Sequence, residues 1–583
     1  MNTNTSTDFY KSNVLGQRSG LFVLFFTEMW ERFSFYGMRV LLIQFLTAAV
    51  ISGDPKSGWA WSAEQAGALY GTYAMMLYLT PIFGGIIADK YIGSRMAVII
   101  GAIIMTIGHA AMAFDTPVMF FIGLACLVMG TGFFKPNMPS ILGEMYKDLP
   151  EKKDGAYTIF YMGVNAGAFF GMMLCGYIAE TQGWHWGFGL AGVFMLLGTL
   201  QFAWSKPLMG NLGIIDKSKE AVAAKETQDT DKRNPFTKMD YILIAIVGVI
   251  GFLYAFNDPL SKNGIIDMFS ALDTSFLRGQ YIMIILALIV FIYMIVSRIL
   301  RYDKAVRDRM FAVVLLAFFL IFFFMSFEQG ATSLVLVARD YIDRSLTGSA
   351  LTTFNTINGL LTIVPLIIIS WVLIKLARAT WNKIALSNSI LILCFLIIWG
   401  AALWMLKNEF SKEASEITVS WFSTLNSFFI IALASTVSKL WESKYNPSAA
   451  FKYGFGLILV AIGFLVLGLG AMDVSEGVKI SMVFLVLTYL FHTLGELFIS
   501  PVGLSYVSKL VPARMLAFMF GIWYLAIAIA QKLAAVLGGQ VETIQQEYSL
   551  SHFFFLFTAI PAAAGVLVMV LNPVIKKLMH GIK

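Results

Sequence analysis

Charge is scarce in this chain. Asp, Glu, Lys and Arg make up 13% of its 583 residues, where soluble domains carry about 25%. That excludes an ordinary soluble domain. With 58% hydrophobic residues and a mean hydropathy of +0.75, the composition is that of a polytopic membrane protein. Cysteine is nearly absent, and Cys126, Cys175 and Cys394 all sit inside apolar runs, which gives no disulfide framework. The chain also lacks HExxH, GxSxG and a nucleotide-binding P-loop. These gaps speak against an intramembrane hydrolase and against a pump driven by ATP. The net charge of +7 has no basic patch behind it, so nucleic acid is not an implied partner. Residues 1–20 are polar, with Lys11 and Arg18, and read as a cytoplasmic tail without the pattern of a cleavable signal.

Long apolar runs are what the chain does have. A span needs about 20 mostly apolar residues. Candidates fall at 21–49, 66–88, 96–114, 118–140, 157–179, 187–204, 241–256, 281–296, 311–338, 360–376, 384–406, 421–440, 455–472, 480–507, 516–536 and 553–571. These are sixteen spans, interrupted by a lysine-rich stretch at 205–240 that reads as a cytoplasmic linker. Lys and Arg concentrate in "DKYIGSR", "YKDLPEKKDG", "RILRYDKAVRDR" and "KLARATWNK", which places those loops and both termini inside.

Charges nevertheless enter the spans. In "LFFTEMWERFSFYGMRVLLIQFL", Glu28, Glu31, Arg32 and Arg39 fall on one helical face at 100° per residue. A charge at the bilayer centre costs about 2.5–3.5 kcal/mol even on lenient scales, so that face must turn away from lipid. Lys135, Glu328, Glu496 and Lys532 lie at comparable depth in other spans, which balances four carboxylates against four cations. A shared polar cavity needs such a balance, because an unpaired buried ion is costly. A zwitterionic ligand would leave it undisturbed, whereas a proton would neutralise one carboxylate and free a cation. Asn165 and Asn426 add neutral groups that fit either a ligand or a helix–helix hydrogen bond. Tyr36, Tyr78 and Trp523 could line a pocket or fill core, and His492 beside Glu496 reads as structural.

Several motifs occur in order: Glu28-x-x-Glu31-Arg32, "GGIIADKYIGSR", "GTGFFKPN", "FYMGVNAG", "FEQG" and "HTLGELFISPVGLS". Together they resemble the proton-dependent oligopeptide transporters, a branch of the major facilitator superfamily, from about Leu21 to the carboxyl end. The resemblance implies an all-α fold of two six-helix bundles with two additional hairpins. The bundles would occupy 21–204 and 301–583, the first extra hairpin 241–300, and a second one, inserted in the later bundle, about 354–406. With no charge in its spans except Lys375, the inserted hairpin should pack outside the bundles against lipid.

The resemblance also implies roles. Arg32 and Lys135 would meet a peptide carboxylate, and Glu496 its ammonium, helped by Asn165 and Asn426. Tyr36, Tyr78 and Trp523 would be pocket aromatics. Glu28 and Glu31 would couple protons, and Glu328 would pair alternately with Lys135, holding it when no peptide is bound. Asp89, Lys90 and Arg95 would latch the bundles together on the inside. Gly71 stands where mammalian relatives carry a histidine, which excludes a histidine proton switch at that position. The implied activity is import of di- and tripeptides with protons across the inner membrane of a bacterium, by a monomer in lipid with no cofactor. The same scaffold carrying another peptide-like compound or organic acid is the alternative, and a receptor-like binder also fits the residues alone.

Overall fold

The computed structural model describes residues 12–114, 116–215, 235–443, 446–474, 478–511 and 515–582. Most of the expected linker (216–234) and the first eleven residues lie outside that set. The long helices are α1 (Ser19–Thr47), α2 (Ala63–Ile87), α3 (Ser94–Met112), α4 (Pro117–Phe134), α5 (Pro150–Gln182), α6 (Trp184–Ala203), α7 (Lys238–Lys262) and α8 (Gly279–Ile299). They continue as α9 (Lys304–Phe327), α10 (Gly348–Phe410), α11 (Val419–Glu442), α12 (Ala449–Gly470), α13 (Met482–Leu510), α14 (Leu516–Gly538) and α15 (Leu550–Val570). Fourteen helical stretches among the described residues are long and apolar enough to cross a membrane. The charged α1 is not among them, and α10 bends at Ile384 into two passes, so with α1 counted the described residues hold sixteen passes.

In a membrane, helices associate through close packing, and small residues permit it. Gly163, Gly167 and Gly171 repeat every fourth residue on α5, and a Cβ at any of them would run into the α1 backbone at Phe25, Met29 or Phe33. This glycine ladder seats α1, whose four charges all lie inside an apolar run, flat against α5.

The bend in α10 makes an antiparallel hairpin. Asn355 Nδ2 donates to the Glu409 carbonyl (2.9 Å), Trp399 Nε1 to Ser370 Oγ (2.9 Å) and Asn388 Nδ2 to Thr380 Oγ1 (3.0 Å). One face of the hairpin packs on the first bundle. Phe395 sits 5.7 Å from the Phe26 and Trp30 rings, and Ser387 Oγ donates to the Gln201 carbonyl at 2.8 Å. The other face exposes Leu360, Ile367, Ile368, Leu393 and Leu396, an apolar surface suited to lipid. The hairpin follows α9 of the second bundle in sequence, yet it flanks the first bundle.

The two bundles meet on the side away from the termini. Gly67 of α2 lies against the Ala535 carbonyl of α14, where a Cβ would come within 2.6 Å. Arg339 Nη1 donates to Thr47 Oγ1 (2.7 Å), and Glu180 of α5 accepts from the Val419 amide at the start of α11 (2.8 Å). Toward the termini, Tyr161 of α5 and Tyr524 of α14 sense one another across the bundles and are exposed, so among the described residues a cleft opens on that side.

Candidate functional site: a charged cleft between two bundles

The centre of the site is α1. Arg32 Nε lies 2.8 Å from Glu28 Oε1 and 2.9 Å from Glu31 Oε2, and all three residues are buried within protein. Two turns on, Arg39 donates Nε to the Tyr70 hydroxyl (2.6 Å) and pairs with Glu328 at the end of α9. The four charges of this span therefore face side chains, as the cost of facing lipid requires.

Lys135 sits where α4 breaks. Pro136 has no amide hydrogen and cannot continue the hydrogen-bond ladder. The chain resumes as a short helix at Asn137–Met145, and Asn137 Nδ2 satisfies the Phe133 carbonyl at 2.7 Å. The Lys135 ammonium lies 4.0 Å from the centroid of the Tyr78 ring, a cation–π contact. Its electrostatic neighbours are Arg32, Glu31, Glu28 and Arg39.

The second bundle supplies the opposite charge. Glu496 of α13 accepts from Asn426 Nδ2 of α11 (2.9 Å), which also reaches Thr493 Oγ1 (3.1 Å). Among the described contacts this carboxylate meets no cation. Tyr36 and Tyr78 stand between the two sets, each sensing Arg32 and Arg39 on one side and Glu496 on the other. Asn165 bonds its own helix at the Tyr161 carbonyl (3.0 Å) and is half-buried. The cleft thus presents cations from one bundle and, from the other, a carboxylate bonded to an amide, with tyrosines between. Such a cleft can hold a molecule that carries a charge of each sign at its two ends.

Four expectations need correction. Lys135 does not pair with Glu328, because Arg39 holds that carboxylate. A guanidinium can bond Tyr70 and Glu328 at once, whereas the ammonium settles on a ring. Trp523 offers no open face to the cleft. It is buried against Gly503, and the adjacent Tyr524, turned 100° around the helix, is exposed and senses Tyr78 and Tyr161. Lys532 belongs to another site. Its ammonium meets Asp258 of α7 (2.6 Å), the Ala68 carbonyl and Thr72 Oγ1 (3.0 Å each), and its stem fills the space beside Gly71. Among the described residues the latch does not join the bundles. Arg95 Nη1 donates to the Gly210 carbonyl (2.7 Å), just after α6 of its own bundle, while Asp89 and Lys90 are exposed in the π-turn Ala88–Ile92.

Tyr161 and Tyr524 are cleft residues that the motifs did not single out. Tyr161 lies inside "FYMGVNAG" and senses Glu28 and Arg32. The one signal in the sequence was its position one turn before Asn165, on the same face.

Two bundles facing each other across a charged cleft, closed at one end and open at the other, form a membrane transporter of the major facilitator type. The signature of the POT family matches residues 95–415 and 408–553, and the chain belongs to that family. It is 31% identical over 591 residues to the peptide transporter YePEPT of Yersinia enterocolitica subsp. palearctica serotype O:3, covering 100% of this chain and 98% of that protein. A di-/tripeptide transporter of Lactococcus lactis subsp. cremoris is 27% identical over 576 residues, covering 97% of this chain and 98% of that protein. The crystal structure of a peptide transporter POT in complex with sulfate superposes with a TM-score of 0.71 at 28% identity, covering 100% of both chains. These are transporters, not enzymes.

Proposed function

We propose that this protein is a proton-coupled symporter that imports di- and tripeptides by alternating access, as a monomer in the cytoplasmic membrane of a bacterium. The carrying observation is the split of charge across the cleft, with Arg32 and Lys135 on one bundle and Glu496 on the other. An extended dipeptide is about 7 Å long and has one charge at each end. Its carboxylate goes to Arg32 and Lys135, and its ammonium to Glu496, with Asn165 and Asn426 adding hydrogen bonds and Tyr36 and Tyr78 forming the walls.

Glu28, Glu31 and Glu328 carry the coupling. A proton on Glu31 or Glu28 loosens Arg32 for the peptide carboxylate, and a proton on Glu328 releases Arg39 and parts the bundles where they now touch. The proton is the coupling ion, and no cofactor is needed. The termini and the open end of the cleft face the cytoplasm, in keeping with the basic loops on that side. Asp89, Lys90 and Arg95 serve as a latch in the opposite conformation.

Proteoliposomes under an inward proton gradient test this. Labelled dipeptide should accumulate above its outside concentration, and a protonophore should abolish the accumulation. Filling only to equilibrium, with no response to the protonophore, would remove the coupling. Competition by di- and tripeptides but not by simple organic acids should fix the substrate class.

A further inference from the structure

A small chamber inside the first bundle borders Glu31, and its other polar residues have no part in the function just proposed. Glu31 and Ser34 of α1, Tyr73 of α2, His109 of α3 and Thr131 of α4 border it. Two of these are satisfied locally. Ser34 Oγ bonds the Trp30 and Ala191 carbonyls (2.9 and 2.8 Å), and Thr131 Oγ1 contacts Met105 Sδ (3.4 Å). The other three are not. Both Glu31 oxygens, Tyr73 Oη and His109 Nδ1 are sealed from solvent and meet no protein hydrogen-bond partner. Glu31 Oε2 lies 2.9 Å from Arg32 Nε, but that N–H is directed at Glu28.

Native interiors rarely leave polar groups unpaired, and ordered water is the usual remedy. A bound water needs room and two to four polar partners. This chamber has room for about one, and three orphaned groups surround it.

We propose that the chamber binds an ordered water that joins Glu31 to Tyr73 and His109, and that these two are positioning residues governing how readily Glu31 exchanges its proton. With Glu31 ionised, the Tyr73 hydroxyl donates to the water, which gives one hydrogen to the carboxylate and the other to His109 Nδ1. With Glu31 protonated, its O–H donates to the water, whose hydrogens then go to His109 Nδ1 and Tyr73 Oη. No bond to hydrogen breaks within the network, and only the direction of donation reverses. The arrangement favours the carboxylate, because the water and Tyr73 both donate toward it.

Other groups face Glu31 as well. They are Glu28 and Arg32 on α1 and Lys135 at the end of α4, with Arg39 and Tyr70 facing Tyr73 and, beyond Glu28 and Arg32, Tyr161 on α5. All of them remain in the variants below, so a shift reports the network.

The proposal rests on proton coupling through Glu31, and the test separates the two. The full-length protein in liposomes is titrated by infrared difference spectroscopy, and the Glu31 carboxyl band is assigned by its loss in Glu31→Gln. Tyr73→Phe removes one hydroxyl, and His109→Leu removes the acceptor and fills the space. Each should raise the midpoint of the Glu31 band by about half a pH unit, and the pH profile of proton-driven uptake should move the same way. His109→Asn, which keeps a polar atom near the Nδ1 position, should restore the wild-type midpoint. An unmoved midpoint in Tyr73→Phe overturns the proposal, and so does His109→Asn behaving like His109→Leu. A wild type that shows the Glu31 titration and its shifts without gradient-driven accumulation would remove the coupling and leave the water network standing.

Discussion

At the scale of single residues, the cleft separates charges that attach differently. Arg32 is committed to two carboxylates and Arg39 to a carboxylate and a hydroxyl, while Lys135 rests on a ring and Glu496 on an amide. Under the function proposed above, the weakly held pair is the one that yields most readily to a ligand. Replacing Glu31 by Gln should abolish concentrative uptake, because Arg32 no longer senses a titrating partner there, but leave exchange between preloaded vesicles. Wild-type accumulation in that variant would dismiss Glu31 from coupling. Acetylating the peptide's amino end should weaken competition by about 10–100-fold in the wild type, the worth of a charge-assisted hydrogen bond of about 1.5–3 kcal/mol. In Glu496→Gln the same acetylation should add little, and an equal loss in both proteins would show that Glu496 does not hold the ammonium. That these residues face inward was legible in the sequence, since four charges in one apolar run leave no other face. Their partners were not. Glu328 meets Arg39 rather than Lys135 because the fold brings the end of α9 against α1, and no spacing encodes that.

At the scale of helices, apolarity located the spans, but polar turns extend beyond the hydrocarbon. The fifth helix begins at Pro150, where the apolar run begins only near residue 157. The lipid-facing side of the α10 hairpin was legible from its lack of charge, but its place on the far bundle was not, because Phe395 and Ser387 find Trp30 and Gln201 only through the fold. The α7–α8 hairpin has its own anchor. Asp258 is fully buried and meets Lys532 at 2.6 Å and Lys262 at 3.4 Å, so it ties α7 to α14, while Lys532 also reaches α2. Breaking such a pair on one side strands a buried charge, at a cost of about 3–5 kcal/mol. Asp258→Asn should therefore lower the unfolding temperature of the purified protein markedly, and adding Lys532→Met should recover most of the loss, since two neutral groups need no partner. A double variant no more stable than the single one would mean that α7 is held by apolar contact alone.

At the scale of the whole molecule, the hydrogen bonds and ion pairs between bundles among the described residues gather toward one end. Gly67 on Ala535, Arg39 on Glu328, Arg339 on Thr47 and Glu180 on Val419 all lie on the side away from the termini. Packed interfaces switch between discrete arrangements, and a ligand biases them only through contacts that differ between the two. If the protein rocks, these contacts must part in every cycle, so holding them shut should stop transport and leave the substrate site intact. Thr47→Cys with Arg339→Cys places one thiol on each bundle at that end, and a short bifunctional thiol reagent can bridge them. Bridged protein in liposomes should lose both gradient-driven uptake and exchange, yet still bind dipeptide in detergent, because the cleft remains open on the termini side. Each single variant treated with the reagent should transport normally, which controls for Cys126, the least buried native thiol. A reducible reagent followed by thiol should restore activity. If fully bridged protein still exchanges peptide, the closed end is a fixed wall and alternating access through it is excluded.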